Sequence, residues 1–319
     1  MKKKILFICG SHNQTTQMHK IACELSEYDN YFTPHYADGL VEFLRKVRLT
    51  EMTVVGNKLV KKCMAYLNSH QLKIDFRGKN NDYDLVVTCS DLVVQKVLLD
   101  KRVVMVQEGM IDPITWKFHL VTKLRFLPMW LAGTSIVGLS DQYEHFCVAS
   151  EGFKQIFIER GVKPEKIRVT GIPNFDNCSD FERSDFPHKD FVLVCTSDLR
   201  EKYRLENRKK FIQFARSVAD GQQLIFKLHP NENHARATRE INRWAPEALV
   251  YNHGSAEQMI AKCHTLITRY SSTIMVAAAL DKRVISDFDD ETIHKMKPWQ
   301  NGNAAARIAD LCRDMLNSQ

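Results

Sequence analysis

Side chains that suit a bound phosphate follow short apolar runs in the second half of the chain. They lie in or soon after the runs LIFKL, ALVYN and TLITR: His229, His253, Glu257, Arg269, Ser271 and Ser272. In successive βα units, the carboxyl ends of the strands lie beside loop backbone and helix N-termini. Helix N-termini present free N–H groups and partial positive charge, so the sequence predicts a phosphate site at these ends.

Two carboxylates end strand-like runs in the first half of the chain. Asp91 ends YDLVVTCSD, and Glu108 follows the run RVVMV. Such acids would face an interdomain cleft if a second domain packs above them; the alternative is a solvated acid at a strand end. The turn after the first strand adds three polar side chains: His12, Asn13 and Gln14.

These residues require a framework of alternating strands and helices. Continuous apolar runs separated by helical patterns predict an α/β protein made of two doubly wound, Rossmann-like domains that face a cleft. We expect an N-terminal domain over 1–175, a polar linker over 176–189 and a C-terminal domain over 190–300. A final helix, 301–319, is expected to return to the N-terminal domain.

Composition narrows the class of protein. The net charge of +7 fits a phosphate-bearing partner, but the basic residues are dispersed and no nucleic-acid-binding motif occurs, so nucleic acid is not an expected partner. The nine cysteines include no CxxC pair, and the N-terminus does not resemble a signal peptide, which together favour a reducing cytoplasm. No metal site and no cofactor are predicted, because paired acidic ligands are missing near the strand-end loops.

The segment 114–138 is rich in aromatic and basic residues. Trp116, Phe118, Phe126 and Trp130 alternate with lysines and an arginine. The segment is too broken and too basic to span a bilayer, but a basic, aromatic amphipathic segment can lie on a membrane surface. The alternative is an insertion that packs on its own domain or lines the acceptor cleft.

Several stretches resemble a known superfamily. KILFICGSHNQTTQMHKIACEL, ASEGFKQIFIERGVKPEKIRVTGIPNFDN, KLHPNE and TRYSSTIMVAAALDKRVIS occur in that order. Together they resemble the two-domain GT-B superfamily, and within it the UDP-N-acetylglucosamine 2-epimerase-like proteins. An acid–Gly turn, an HP pair and a Ser-Ser pair also occur in this order in capsule-type transferases such as the polysialyltransferases and CDP-glycerol polymerases.

Departures from the epimerase pattern bear on the reaction. The family's glutamate-containing turn after the acid is replaced by the aromatic segment, and TSDLREKYRLEN lacks the family's histidine, although Asp91 matches an epimerase acid. An epimerase needs several acid and base groups around C2 of the sugar. The resemblance therefore implies a metal-independent glycosyltransferase in envelope or capsule polysaccharide synthesis, acting on a glycan or lipid-linked acceptor. Two alternatives stay open, an epimerase-like isomerase and a non-catalytic nucleotide-sugar-binding subunit.

On a transferase the N-terminal candidates belong to the acceptor side. Glu108 is the expected general base for the acceptor hydroxyl, with Asp91 as the competing choice. His12, Asn13 and Gln14 are expected to contact the sugar or acceptor, or else simply to fill a polar loop.

The C-terminal candidates belong to the donor side, where a UDP-linked sugar is preferred to a CMP- or CDP-linked one. His229 is expected to donate to the diphosphate or leaving phosphate, with Lys227 adding positive charge from the same strand face. Arg269 would clamp phosphate beside the two serines, and Glu257, near His253, would bind ribose hydroxyls. Each residue also has an alternative role without a ligand. These roles are a backbone hydrogen bond for His229, solvation for Lys227, a surface ion pair for Arg269, helix capping for Ser271 and Ser272, and a favourable first-turn position in a helix for Glu257.

Overall fold

The structure is a computed structural model that describes residues 2–36, 57–124, 127–200 and 206–318. Contacts divide the chain into two compact units, Met1–Asp176 with Asn301–Gln319, and Asn177–Gln300. The spacing of apolar residues in VEFLRKVRL, residues 41–49, predicts an amphipathic helix, but this segment lies outside the described residues.

The N-terminal unit is built on a parallel sheet with the order β2-β1-β3-β4-β5-β6. Its strands are β1 (Lys4–Cys9), β2 (Asp29–Pro34), β3 (Leu85–Thr88), β4 (Val103–Val106), β5 (His145–Val148) and β6 (Ile167–Val169). Residues 5–9, 85–88 and 103–106 are entirely buried, which fits continuous apolar runs covered on both faces. The sequence did not predict β2, an edge strand whose first half is polar and only half-buried.

Helices flank this sheet and tie the end of the chain to its beginning. The helices are α1 (His12–Cys23), α2 (Asn57–Ser69), α3 (Lys96–Leu99), α4 (Trp116–Lys123), α5 (Glu151–Glu159) and, from the C-terminus, α11 (Ala304–Asn317). Helix α11 packs against α1, and Arg313 Nε donates to Glu27 Oε1 at 2.6 Å. The final helix is therefore part of the N-terminal unit.

The C-terminal unit has a second parallel sheet, ordered β11-β10-β7-β8-β9. Its strands are β7 (Val192–Cys195), β8 (Leu224–Lys227), β9 (Leu249–Tyr251), β10 (Thr265–Ile267) and β11 (Arg283–Ile285). Its helices are α6 (Arg208–Ala219), α7 (His234–Trp244), α8 (Ala256–Lys262), α9 (Thr273–Ala279) and α10 (Asp290–Lys295). Phe226, Ile212 and Ile241 are fully buried where α6 and α7 cover the sheet.

The predicted linker at 176–189 needs a correction. Residues 177–189 belong to the C-terminal unit, and their 3₁₀ helix, Cys178–Arg183, packs against α8 with Cys178 buried. The sequence DNCSDFERSDFPHK does not predict this contact, because a single buried cysteine among mostly polar residues forms no apolar pattern. The two α/β, Rossmann-like sheets themselves confirm the predicted fold class.

Strand order identifies the edge where a ligand site is expected in each unit. The direction of strand addition reverses between β1 and β3 in the N-terminal sheet, and between β7 and β10 in the C-terminal sheet. In open α/β sheets, ligands bind at the carboxyl ends of the strands beside such a reversal. These two edges contain most of the predicted site residues.

Candidate functional site

The Glu108 carboxylate is held at the carboxyl edge of the N-terminal sheet by the loop after β1. Ser11 Oγ donates to its Oε1 at 2.5 Å, and Gln14 Nε2 donates to its Oε2 at 2.7 Å. Ser11 also caps α1 in a capping box with Gln14, so the helix start and the carboxylate share two side chains. The structure thus brings Glu108 and Gln14 together, as two of the predicted acceptor-side residues.

A buried glutamine pair fixes the backbone that carries Glu108. Gln17 Nε2 donates to the Gln107 carbonyl at 2.8 Å, and Gln107 Nε2 donates to the Gly109 carbonyl at 2.7 Å. Gln107 Oε1 in turn accepts the Ala149 N–H at 2.9 Å. Gln17 is not among the predicted site residues, although a glutamine on the buried face of an amphipathic helix is a signal for such a bond.

Asp91 occupies a different environment from Glu108. Its side chain is buried, and its two oxygens accept the N–H groups of Gly138 and Ser140 at 3.0–3.1 Å. Burial raises the pKa of this carboxyl, while those hydrogen bonds act in the opposite direction. The structure gives Asp91 a contact that holds the 138–140 turn, and its predicted catalytic role stays a prediction.

His12 and Asn13 lie at the exposed start of α1. The His12 ring meets Tyr66 edge-on, with 5.9 Å between ring centroids. The Asn13 carbonyl accepts from Asn174 Nδ2 at 2.8 Å. Both side chains are exposed, and their predicted contact with sugar or acceptor stays a prediction.

His229 lies in a tight turn after β8 whose hydrogen bonds define its ring nitrogens. Its Nδ1 accepts the Asn231 backbone N–H at 3.1 Å, so the neutral ring carries its proton on Nε2. Asp198 Oδ2 lies 3.9 Å from the same nitrogen. In either protonation state Nε2–H is a donor, the property that a phosphate oxygen requires.

A buried charged cluster supports this turn, and sequence reasoning missed it. Thr196 Oγ1 accepts the His229 N–H at 3.0 Å and donates to Glu232 Oε2 at 2.5 Å. Glu232 also pairs with Arg208 at the start of α6, and both side chains are almost completely buried. The available signal was Glu232 itself, an acid three residues after His229 in a short loop.

Further charges extend the cluster. Glu206 Oε2 lies 3.0 Å from Arg208 Nη2, and Arg200 makes a bidentate pair with Glu240 at 2.8 and 2.9 Å. Arg200 Nη2 lies 3.6 Å from Glu232. Two arginines and three glutamates therefore lie together beneath the His229 turn.

Lys227 is buried at the end of β8. Its Nζ donates to the Leu228 carbonyl at 3.1 Å. Burial lowers the pKa of this ammonium, while Cys195 and Glu257 act in the opposite direction. Glu257 Oε2 accepts from Ser255 Oγ, which caps α8, so Glu257 is tied to a helix start. His253 is exposed in the preceding turn.

Arg269 and the two serines follow β10, beside the reversal in strand order. Arg269 Nε donates to Asp287 Oδ2 at 2.7 Å, the ion pair considered as the alternative to a phosphate clamp. Ser271 Oγ accepts from the N–H and hydroxyl of Thr273, whereas the Ser272 side chain makes no cap bond to α9. Phosphate binding by these residues stays a prediction.

Cavities occur at two relevant places. One of about 390 Å³ lies between the start of α6 and the ends of β10 and β11, and Arg269 and Asp287 line it. A larger one of about 650 Å³ lies in the N-terminal unit beside Val121 and Arg160. It does not include Glu108, so size alone does not identify the site. Across the described part of the chain, no group of three or more His, Cys, Asp or Glu side chains is arranged to hold a metal ion.

Comparison with solved structures identifies the fold. An S. aureus MnaA structure containing UDP superposes with a TM-score of 0.59 at 14% identity, covering 99% of this chain and 97% of that one. The Neisseria meningitidis UDP-GlcNAc 2-epimerase bound to UDP-GlcNAc gives 0.55 at 13% identity, covering 98% and 100%. The wall teichoic acid polymerase TagF gives 0.51 at 11% identity, covering 99% and 89%. The chain has an epimerase-like GT-B fold.

This fold is the one that the resemblance in the sequence implied. No protein-family model matches the chain, and no curated protein matches it in sequence. Identities of 11–14% establish the fold alone. The reaction of this GT-B chain has to be argued from its own residues.

Proposed function

We propose that this GT-B chain is an enzyme that transfers a sugar from a nucleotide-activated donor to a saccharide or lipid-linked acceptor in envelope or capsule polysaccharide synthesis. Support for the donor comes from fold neighbours whose structures hold UDP and UDP-GlcNAc. Support for a polymer-forming role comes from the teichoic acid polymerase among them. A UDP-linked donor is the preferred choice.

The observation that favours transfer over epimerisation is the contrast between two acids. Glu108 is held by two side-chain donors at the sheet edge, whereas the Asp91 carboxylate is buried and occupied by three backbone N–H contacts. An epimerase needs several acid and base groups around one carbon, while an inverting transfer needs one base for the acceptor hydroxyl. Glu108 fits that single base.

In the proposed reaction the acceptor oxygen attacks the anomeric carbon as its proton passes to Glu108. The bond from that carbon to the donor phosphate breaks, and the nucleoside diphosphate leaves. Ser11 and Gln14 fix the carboxylate so that little reorganisation is needed in the transition state.

The leaving phosphate is the proposed partner of the C-terminal loops. His229 Nε2–H donates to it, and the hydroxyl groups of Ser271 and Ser272 are further proposed donors. Lys227 and Arg269 contribute positive charge on this unit. The proposed arrangement contains no metal ion, and comparing nucleotide titrations with and without Mg²⁺ tests this part of the proposal.

The test combines a binding screen with a transfer assay. Thermal-shift titration against UDP, CDP, CMP, GDP and ADP, with and without Mg²⁺, identifies the donor nucleotide, since a ligand at about a hundred times its dissociation constant stabilises the folded state by roughly 2.7 kcal/mol. Transfer from the matching radiolabelled sugar should then fall at least about a hundredfold in Glu108→Gln. Glu159→Gln, an exposed acid in the same unit, is the matched control.

Two outcomes favour other functions. Interconversion of free UDP-N-acetylglucosamine without any acceptor, followed by proton NMR, would establish an epimerase-like isomerase. The epimerase among the fold neighbours and the sequence match of Asp91 to an epimerase acid support that function, whereas the backbone contacts of Asp91 do not. Nucleotide binding without turnover for any acceptor would indicate a non-catalytic subunit of an assembly complex.

A further inference from the structure

Exposed apolar side chains are concentrated on one short stretch of the N-terminal unit. Among the described residues, ten large hydrophobic side chains are exposed, and five of them lie between 114 and 131. Those five side chains are Ile114, Trp116, Leu120, Trp130 and Leu131. We call this set the apolar surface. Scattered exposed apolar residues need no explanation, but a cluster of this kind marks an interaction site.

Helix α4 has apolar residues on two opposite faces. Phe118 and Val121 point inward and are buried. Trp116 is 69% exposed and Leu120 is 39% exposed, and their spacing of four residues puts them on one outward face. One face therefore packs within the unit, while Trp116 and Leu120 on the other face are left exposed by the described part of the chain.

The second half of the apolar surface lies on the 3₁₀ segment Met129–Ile136, which packs against α4. Polar contacts fix the base of this segment. Asp112 Oδ2 accepts from the N–H and hydroxyl of Thr134 at 3.1 and 2.9 Å, and Arg160 donates to the Ser135 carbonyl at 3.0 Å. Gly133 has a φ of +65°, and a Cβ there would lie 2.8 Å from Asp112. The outward side chains are thus presented by an anchored segment.

The charged residues of this segment indicate what kind of surface it would contact. Residues 113–140 contain no Asp or Glu, but they contain Lys117, Lys123 and Arg125. Lys117 and Lys123 are exposed on α4, on either side of the Trp116–Leu120 face. Tryptophan suits the boundary between headgroups and acyl chains, and basic residues suit an anionic headgroup layer.

We propose that the apolar surface, together with Lys117 and Lys123, docks this protein on the surface of an anionic bilayer. The proposed contact is peripheral, through these surface side chains. Among the described helices, none is both long enough and apolar enough to cross a membrane. Docking does not depend on which reaction the enzyme catalyses. It would bring a lipid-linked acceptor close to the protein.

Flotation of the full chain with vesicles tests how much the basic residues contribute to membrane binding. Wild type should float with equimolar phosphatidylglycerol and phosphatidylcholine, less with phosphatidylcholine alone, and less at high salt. Lys117→Glu with Lys123→Glu should weaken binding at least about 30-fold at low salt, because each basic residue near an anionic surface contributes roughly a factor of five. Lys61→Glu with Lys62→Glu, two exposed lysines on α2, should leave it unchanged.

A second pair of variants tests the apolar term. Trp116→Ala with Leu120→Ala should weaken binding at least about tenfold. The matched control, Phe76→Ala with Leu99→Ala, removes two side chains of 46% and 57% exposure elsewhere on the same unit and should bind as wild type does. Thermal unfolding of each variant checks that the exposed substitutions leave the fold intact.

Three results would overturn the proposal. The first is failure of the wild type to float with anionic vesicles, and the second is equal, salt-insensitive binding to neutral ones. The third is a dimer in light scattering that Trp116→Ala with Leu120→Ala dissociates, which would make the apolar surface an interface between copies of this chain.

Discussion

Replacing Glu232 with glutamine tests whether the buried charged cluster supports the His229 turn. The Glu232 side chain is fully buried, accepts from Thr196 at 2.5 Å and pairs with Arg208. Glu232→Gln preserves the shape and an acceptor for Thr196, but it removes the charge that pairs with Arg208. Among the described residues, the guanidinium then keeps Glu206 at 3.0 Å and the Ser197 carbonyl at 3.5 Å. Breaking one partner of a buried pair costs about 3–5 kcal/mol, and the retained hydrogen bond places the expected loss near the lower limit, about 3 kcal/mol.

The assay is urea unfolding followed by tryptophan fluorescence. Trp116 and Trp130 are exposed in the N-terminal unit, so a Trp116→Phe, Trp130→Phe background leaves Trp244 and Trp299 to report on the C-terminal unit alone. This separation matters because a chain of two units need not unfold in one step.

Glu247→Gln is the matched control for burial. It removes the charge from an Arg216–Glu247 pair at 2.6 Å in the same unit, with both side chains about half exposed. Such a surface pair contributes about 0–1 kcal/mol. If Glu232→Gln destabilises the unit no more than Glu247→Gln does, then the argument from burial is wrong.

A double-mutant cycle isolates the Glu232–Arg208 interaction itself. Arg208→Met alone should also destabilise the unit, though Glu232 keeps Arg200 at 3.6 Å. The double variant should be at least about 1 kcal/mol more stable than the sum of the two single effects predicts. Strict additivity would show that the two side chains do not interact.

Three further predictions concern pH, nucleotide binding and catalysis. Burial lowers the pKa of His35 to about 4, so as the pH falls from about 6.5 to about 4 the unfolded chain binds a proton that the folded chain does not. About 3 kcal/mol of the free energy of unfolding that is present above this pH range should therefore be lost. In urea unfolding, His35→Gln should show a flatter dependence of stability on pH. His229→Ala should weaken binding of the donor nucleoside diphosphate about tenfold by calorimetry, whereas His294→Ala, an exposed histidine of the same unit, should not. Glu108→Gln should lower kcat at least about a hundredfold with little change in donor affinity, and an equal loss of affinity would contradict its acceptor-side role.

The sequence predicted the framework well because continuous apolar runs are a strong signal for buried parallel strands. RVVMV, LIFKL and TLITR each contain a strand, and the strand-end positions of Glu108 and His229 follow from the first two. It missed β2, because a polar edge strand lacks such a run. The acidic run DFDDE, residues 287–291, is typical of a surface helix start, and Asp289 does cap α10.

The site chemistry was harder to predict because it depends on contacts between distant residues. Asp91 and Glu108 both end strands, yet only the fold shows that a turn 47 residues later occupies Asp91. Arg208 and Glu232 are 24 residues apart in the sequence. Considered alone, each would be predicted to be a charged side chain in solvent. The spacing of apolar residues predicts where a strand ends, but it does not predict which backbone N–H group or guanidinium will contact the side chain at that end.

The buried cluster also explains how a short turn could hold a phosphate ligand in place. The His229 backbone is fixed through Thr196 to Glu232, and Glu232 is fixed by Arg208 at the first residue of α6. A donor that is held rigidly before the substrate arrives stabilises developing charge without reorganising. Replacing the buried pair with apolar residues could preserve stability, as buried ion pairs often allow. That replacement would, however, remove the acceptor of the Thr196 hydroxyl, so nucleotide binding should weaken even in a variant that retains the fold. A loss of binding without a loss of stability distinguishes a positioning role of the cluster from a purely structural one.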